Sequence, residues 1–344
     1  MPEYSIIVPV YNRPAEVSEL LASLCVCDGI GNAEVIIVED GSSVSSETVV
    51  SGYTDRLDIR YLRKDNSGPG PSRNYGAERA SGKWLIILDS DVSLPEGYLK
   101  AVSEGIAQTG ADAFGGPDMA RDDFSPVQKA IDYAMTSFLT TGGIRGGKAR
   151  LDKFFPRSFN MGMRREVFKE LGGFSPMRFG EDIDLSYRLF DAGYKAVLLP
   201  GAAVWHRRRT DLRKFFRQVH NSGIARIDLT LRHPGTLKIV HVLPAAFTAG
   251  CAILLAATPF VPWASLPIVL YAVLLFADSF FRLKRGVRGM APAGVGDSVK
   301  TALLSVVASF VQLTGYGSGF IRAFIRRIMF RGRSFQAFEK TFYK

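Results

Sequence analysis

Between Ile239 and Ala277 the chain runs for 39 residues without an Asp, Glu, Lys or Arg, and Pro259, Pro262 and Pro267 cluster past the middle of that run. As one helix it would reach about 58 Å, roughly twice the ~30 Å hydrocarbon core of a bilayer. The economical reading is two membrane spans, about 240–258 and 264–281, turning at Pro259-Phe-Val-Pro-Trp263. Trp263 then sits where an interfacial aromatic is expected. The alternative, a buried helical hairpin in a soluble protein, is disfavoured by the basic flanks.

A third uncharged run, Thr301 to Ile321, contains Gln312, Thr314, Gly315, Gly317 and Gly319. Two spans return Arg282, Lys284, Arg285 and Arg288 to the side of the N-terminal part, as the positive-inside bias requires. A third span would leave Arg322, Arg326, Arg327, Arg331 and Arg333 on the far side. The run therefore either crosses against that bias or lies re-entrant or flat in the interface. Its length favours crossing.

The formal net charge of +10 is local in origin. Residues 205–238 carry +7, residues 282–288 +4 and residues 322–344 +6, so the remainder is negative. A nucleic-acid binder carries its positive charge on the folded domain itself. Here the charge brackets apolar runs, so the expected surface partner is anionic membrane lipid, with no nucleic acid. Residues 207–232, including Arg208, Arg209, Phe215, Phe216, Val219, Ile224, Ile227 and Leu229, mix bases with apolar groups and should lie along the membrane surface. The three cysteines (Cys25, Cys27 and Cys251) exclude a disulfide scaffold, and Cys25 with Cys27 cannot alone build a zinc site. The start of the chain lacks the basic and apolar regions of a signal peptide, so the N-terminal part is expected in the cytoplasm.

That part reads as an α/β domain. Ser5-Ile-Ile-Val-Pro-Val10, Val35-Ile-Ile-Val38 and Trp84-Leu-Ile-Ile-Leu88 are short and apolar on both faces, the pattern of parallel strands covered by helices on both sides. Helical stretches separate them: Ala15–Cys25, and Pro71–Ala80 with Gly82 just past its end. The alternation implies a doubly wound, mostly parallel, Rossmann-like sheet whose ligands bind beyond the carboxyl ends of the strands. Acidic residues follow at those ends: Glu39-Asp40 after the second strand and Asp89-Ser90-Asp91 after the third, while Glu181-Asp182-Ile-Asp184 opens a later helix that Gly193 closes. Clustered carboxylates repel unless a cation or donor groups stabilise them, and hard oxygen ligands suit Mg²⁺ or Mn²⁺. Such an ion neutralises a diphosphate leaving group.

Pro9-Val-Tyr-Asn-Arg-Pro14, Glu39-Asp-Gly-Ser42, Gly70-Pro-Ser-Arg-Asn-Tyr-Gly76, Asp89-Ser-Asp91 and Gly180-Glu-Asp-Ile-Asp-Leu185 resemble, in order, the motifs of family 2 glycosyltransferases. The resemblance covers about residues 4–210. It implies a GT-A fold and an inverting transfer from a nucleotide-diphosphate sugar, most often UDP-linked. It places Pro9, Val10 and Tyr11 against the nucleotide base, with Asp40 accepting a hydrogen bond from the base edge. Arg73 faces the diphosphate, Asp89 and Ser90 the ribose or sugar, and Asp91 a Mn²⁺ or Mg²⁺ ion, with His206 at the metal or diphosphate. Asp182 is the implied general base. Spacing alone leaves Glu181 and Asp182 open, although a helix N-terminus favours a charged carboxylate at either. Trp205-His206 also reads as an interfacial pair beside the basic helix. Asn160-Met-Gly-Met163 and Gly172-Gly-Phe174 match the segment before the base motif and read either as acceptor pocket or as plain strand–turn–helix.

The chain departs from processive polysaccharide synthases of that family, because Gln218-Val-His-Asn-Ser222 lacks the Arg and Trp of their Gln-x-x-Arg-Trp motif. Transfer of a single sugar is expected, to a lipid-linked or glycan acceptor near the membrane. The alternatives are a soluble acceptor, or a non-catalytic membrane module that binds a nucleotide sugar. The expected organisation is a catalytic domain at 1–204 and a basic amphipathic interface segment at 205–238. Two transmembrane helices at 239–281, a cytoplasmic basic loop at 282–300, a third transmembrane or re-entrant helix at 301–321 and a basic tail at 322–344 follow. The expected location is the inner membrane, multi-pass, with the catalytic domain cytoplasmic.

Overall fold

The computed structural model describes residues 2–119, 125–141, 153–206, 211–286 and 294–332, with His206 described by its main chain only. They fall into two compact units, 2–119 with 153–206, and 125–141 with 211–286 and 294–332.

The first unit is an α/β body. Its strands are β1 (Tyr4–Val10), β2 (Ala33–Asp40), β3 (Asp58–Lys64), β4 (Trp84–Leu88), β5 (Val92–Ser93), β6 (Ala113–Gly115), β7 (Asp118–Met119), β8 (Asn160–Arg164), β9 (Ala196–Leu198) and β10 (Val204–His206). Seven form one sheet in the order β3-β2-β1-β4-β8-β6-β9. Neighbours from β3 to β4 pair in parallel, β8 is antiparallel to both β4 and β6, and β9 is parallel to β6. A second sheet of three strands runs β5-β10-β7. Its helices are α1 (Pro14–Cys25), α2 (Glu47–Ser51), α3 (Pro69–Glu78) and α4 (Tyr98–Thr109), and the second unit contributes α5 (Pro126–Thr136) and α6 (Phe138–Thr141) next along the chain. Then α7 (Arg165–Glu170) and α8 (Glu181–Asp191) return to the α/β body.

Alternate side chains of each central strand feed separate cores. Ile6, Val8 and Val10 of β1 join Val17, Leu20 and Leu24 of α1 and Tyr98, Leu99 and Val102 of α4 on one face. Ile7, Ile36, Val38, Leu85 and Ile87 join Val167, Phe168, Leu185 and Leu189 of α7 and α8 on the other. That two-sided burial is why these strands read as unbroken apolar runs. Helix α3 begins at Pro69, two residues before the expected Pro71, directly after Gly68 at φ 92°. A Cβ on its Gly76 would strike Ile7, so the glycine sets how closely α3 approaches the sheet. Gly82 is not a helix stop, because α3 ends at Glu78; a Cβ there would strike the Tyr4 and Ser5 main chain.

The second unit is helical. It holds α5 and α6 together with α9 (Leu212–Arg232), α10 (Ile239–Ala257), α11 (Leu266–Arg285) and α12 (Val295–Phe324), which ends in a π-helical turn at Ile325–Met329. The turn between α10 and α11 falls at Pro262–Ser265, as the proline cluster implied. Three helices are long and apolar enough to cross a membrane, with mean hydropathy 2.1 for Ile239–Ala257, 1.9 for Pro262–Arg285 and 1.3 for Val295–Met329. Asp278, the acid of α11, is not left alone among apolar neighbours. It accepts from Tyr133 Oη at 2.7 Å and pairs with Arg282 at 3.0 Å. Tyr271 Oη donates to the Leu139 carbonyl. Residues 125–141, expected inside a 1–204 domain, thus cluster with these helices rather than with the sheet. Arg208, Arg209, the loop residues 287–293 and the tail residues 333–344 lie outside the described residues.

Candidate active site

Parallel strands end on one edge of their sheet, so the residues that follow β1, β2 and β4 are neighbours whatever their separation in sequence. Asp89-Ser90-Asp91 link β4 to β5, and α8 opens with Glu181 and Asp182. Arg73, on α3, joins these two acidic stretches. Its Nη2 donates to Asp89 Oδ1 at 2.8 Å and its Nη1 to Glu181 Oε1 at 2.9 Å, and its guanidinium lies over the Phe174 ring at 5.4 Å. Only 4% of the Arg73 side chain is exposed. Burial favours its neutral form, yet Asp89 and Glu181 outweigh that and hold its pKa above the ordinary arginine value. Burial raises the pKa of Glu181, and the adjacent Asp182 charge adds to the rise while Arg73 opposes it.

The two candidate bases differ in what holds them. Glu181 is committed to Arg73. Asp182 accepts from the Ile183 N–H at 2.8 Å through Oδ1, and its Oδ2 has Arg157 Nη1 at 3.6 Å, an ion pair longer than a direct hydrogen bond. Asp182 therefore has the freer oxygen.

On the β4 side, Asp91 Oδ2 takes Arg13 Nη1 at 2.5 Å. Ser90 is buried. The β10 register sets the His206 main chain opposite Val92, the residue after Asp91. Among the described residues no group of three or more His, Cys, Asp or Glu could hold a metal ion by itself. The donor set still suits a diphosphate-bridging cation. Such ions take one or two carboxylates plus phosphate oxygens, and Asp89 and Asp91 each already carry a positive group in the form of a guanidinium.

On the β1–β2 side, Asp40 is 1% exposed and engaged by three donors: Lys64 Nζ at 2.6 Å, Ser67 N–H at 2.9 Å and Gly68 N–H at 2.8 Å. It braces the loop into α3, so a base edge would have to share a carboxylate already in use. Val10 is 1% exposed and packed in the core, which leaves only its main chain for a nucleotide, whereas Pro9 and Tyr11 are half-buried. Asn160 is buried in β8, where it accepts from Tyr98 Oη and donates to the Ala202 carbonyl, and β8 runs directly into α7 at Arg165. Sequence reasoning missed Arg13, Lys64 and Arg157. Lys64 ends β3 in register with Asp40, a pairing that only the folded sheet brings about.

Comparison with known proteins matches residues 5–172 to the glycosyl transferase family 2 model. Residues 5–172 are a glycosyl transferase family 2 domain. This glycosyltransferase is 28% identical over 272 residues to the succinoglycan biosynthesis protein ExoA of Rhizobium meliloti (strain 1021), covering 76% of this chain and 82% of that one. Its fold is similar to that of the mannosyltransferase PcManGT from Pyrobaculum calidifontis, solved with GDP-Man and Mn²⁺ (TM-score 0.58, 18% identity, 90% of this chain and 87% of the other). It is similar too to S. aureus TarS 1–349 in complex with UDP-GlcNAc (TM-score 0.50, 17% identity, 94% and 92%). The expected GT-A architecture followed by apolar C-terminal helices is thereby established.

Proposed function

We propose that this glycosyltransferase moves one sugar, with inversion, from a nucleotide-diphosphate donor, UDP-linked, to a lipid-linked or other membrane-proximal acceptor. The observation that carries the reading is the Asp89–Arg73–Glu181 bridge, which joins the strand-end acids to the first turn of α8 in one hydrogen-bonded chain. Buried side chains of opposite charge are costly to gather without a substrate to serve.

In this reading Pro9, Tyr11 and the Val10 main chain receive the base, with Asp40 at its edge. Asp89 and Ser90 take the ribose or sugar, and Arg73 fixes Asp89 while facing the diphosphate. Asp91 and His206 would hold Mn²⁺ or Mg²⁺. When bound, that ion supplies neutralisation of the departing diphosphate. Asp182, through the oxygen not tied to the helix, takes the proton of the acceptor hydroxyl as that oxygen attacks the anomeric carbon opposite the leaving group. Its position at the start of α8 favours the ionised form this requires. Glu181 holds Arg73 and is the secondary candidate. The name of the relative ExoA, a polysaccharide biosynthesis protein, supports a glycan product, and the UDP-GlcNAc complex of TarS supports a UDP donor. The three apolar helices support a multi-pass inner-membrane protein whose catalytic domain, 1–204, faces the cytoplasm, with 205–238 on anionic lipid and 239–281 as the spans.

A thermal-shift screen of nucleotide-diphosphate sugars with Mn²⁺ tests the reading. At least one donor should raise the melting temperature of the full chain, and Asp91→Asn should remove the Mn²⁺-dependent part of that rise. No response to any donor refutes it.

A further inference from the structure

In Pro9-Val-Tyr-Asn-Arg-Pro14 the residues on either side of Asn12 serve different parts of the site. Tyr11 belongs to the base side, and Arg13 reaches Asp91 on the β4 side. Asn12 itself has φ 54°, and apart from Arg331 it is the only non-glycine residue at positive φ among the described residues. That region brings Cβ against the following carbonyl oxygen, and Asn and Asp enter it most readily among residues with a side chain.

An asparagine at the start of a helix ordinarily caps it. Here α1 has no side-chain cap. The Asn12 amide reaches instead to the loop after β2, 31 positions along the chain. Its Oδ1 accepts from the Ser43 N–H at 2.8 Å, the Val44 N–H at 3.0 Å and Ser43 Oγ at 3.1 Å, and the Asn12 N–H donates to Ser42 Oγ at 2.8 Å. The loop it grips is itself anchored. Ser42 donates on to Glu39, which is buried and also accepts from the Ser46 N–H at 2.8 Å and from Tyr61 Oη at 3.0 Å. Asp40, the next residue, is held by Lys64 and by the Ser67 and Gly68 N–H groups. The turn at Asn12 is thus fastened to the end of β2, which carries the base-edge carboxylate. Asn12 is exposed and adds nothing to the core. A strained residue persists only where its surroundings over-determine it, and such residues cluster where neighbours must be oriented.

We infer that Asn12 is a positioning residue for the donor. By holding the left-handed turn against the Ser43–Val44 main chain, it sets Tyr11 on the base side and Arg13 at Asp91 together. It acts through these two neighbours. The inference rests on the UDP-donor reading proposed above.

Calorimetric titration of the detergent-solubilised full chain with UDP and Mn²⁺ tests it. All three side-chain bonds of Asn12 are accepted at Oδ1. Asn12→Asp keeps that acceptor and the tolerance for positive φ, so it should bind UDP like the wild type. Asn12→Gly enters the same backbone region without strain but has no acceptor, and should bind UDP about tenfold more weakly. Combined with Arg13→Ala, Asn12→Gly should weaken binding by less than the product of the two single effects, because Asn12 acts partly through Arg13. Wild-type affinity in Asn12→Gly, equal weakening in Asn12→Asp, or fully multiplicative effects overturn the inference. So does a lower melting temperature of Asn12→Gly with unchanged UDP affinity, which makes the bonds structural only. Absence of UDP binding by the wild type overturns the donor reading and this inference with it.

Discussion

Arg73 holds together two acidic stretches 92 positions apart, Asp89 and Glu181, and is itself almost wholly buried. Replacing it by Ala would leave Glu181 buried beside Asp182 without a counter-charge, and breaking a buried pair in this way costs about 3–5 kcal/mol. A clear drop in melting temperature and loss of transfer are expected of Arg73→Ala, and a wild-type melting curve would contradict the bridge. Arg73→Lys keeps the charge but not the fork that reaches both carboxylates, so it should recover stability in part and turnover little. The raised pKa of Glu181 has its own signature. The folded state keeps that proton more readily than the unfolded chain, so the contribution of Glu181 is fully favourable below its ordinary value of 4.5 and is lost as pH rises above it. Melting temperature followed upward from pH 4.5 should therefore fall less steeply in Glu181→Gln than in the wild type, and identical slopes would remove burial as the cause. At this scale the sequence showed which acids matter, because they directly follow apolar strands. It hid their partners. Arg13 reaches Asp91 and Arg157 reaches Asp182 only through the fold, and neither lies in a periodic element that would announce its direction.

Among the elements, the central strands were legible because both of their faces are buried, and the pair α10–α11 because prolines punctuate a run twice the width of a bilayer. Strand β3 was not, since it is an edge strand in which Asp58, Arg60, Arg63 and Lys64 leave no apolar run. Missing β3 also hid Lys64, and with it the reason Asp40 is so firmly held. The packing of α9 on α12, where a Cβ on Gly319 would strike the His220 main chain, was equally hidden. Glycines in an uncharged run signal close approach, but not to which helix. Gly319→Val should force the two helices apart at His220 and lower the melting temperature of the detergent-solubilised chain, whereas Gly296→Val, where a Cβ meets open space, should not. Equal effects of the two substitutions would contradict the packing.

The molecule as a whole couples an α/β transferase body to a helical unit that also captures residues 125–141 from the middle of the chain. Chain segments from both halves of the sequence thus share the apolar unit, so its loss should not behave as removal of a detachable anchor. Chelation is the simplest test of the ion assigned to Asp91. Transfer should cease in excess EDTA and return with Mn²⁺ or Mg²⁺, and full activity under chelation would contradict that assignment. The most direct measurement is the initial rate of nucleoside-diphosphate release from the donor identified by thermal shift, in native membranes, for the wild type and Asp182→Asn. Loss of the general base predicts a rate about 10²–10⁴-fold lower with the donor KM unchanged; an undiminished rate would contradict the site described for this chain.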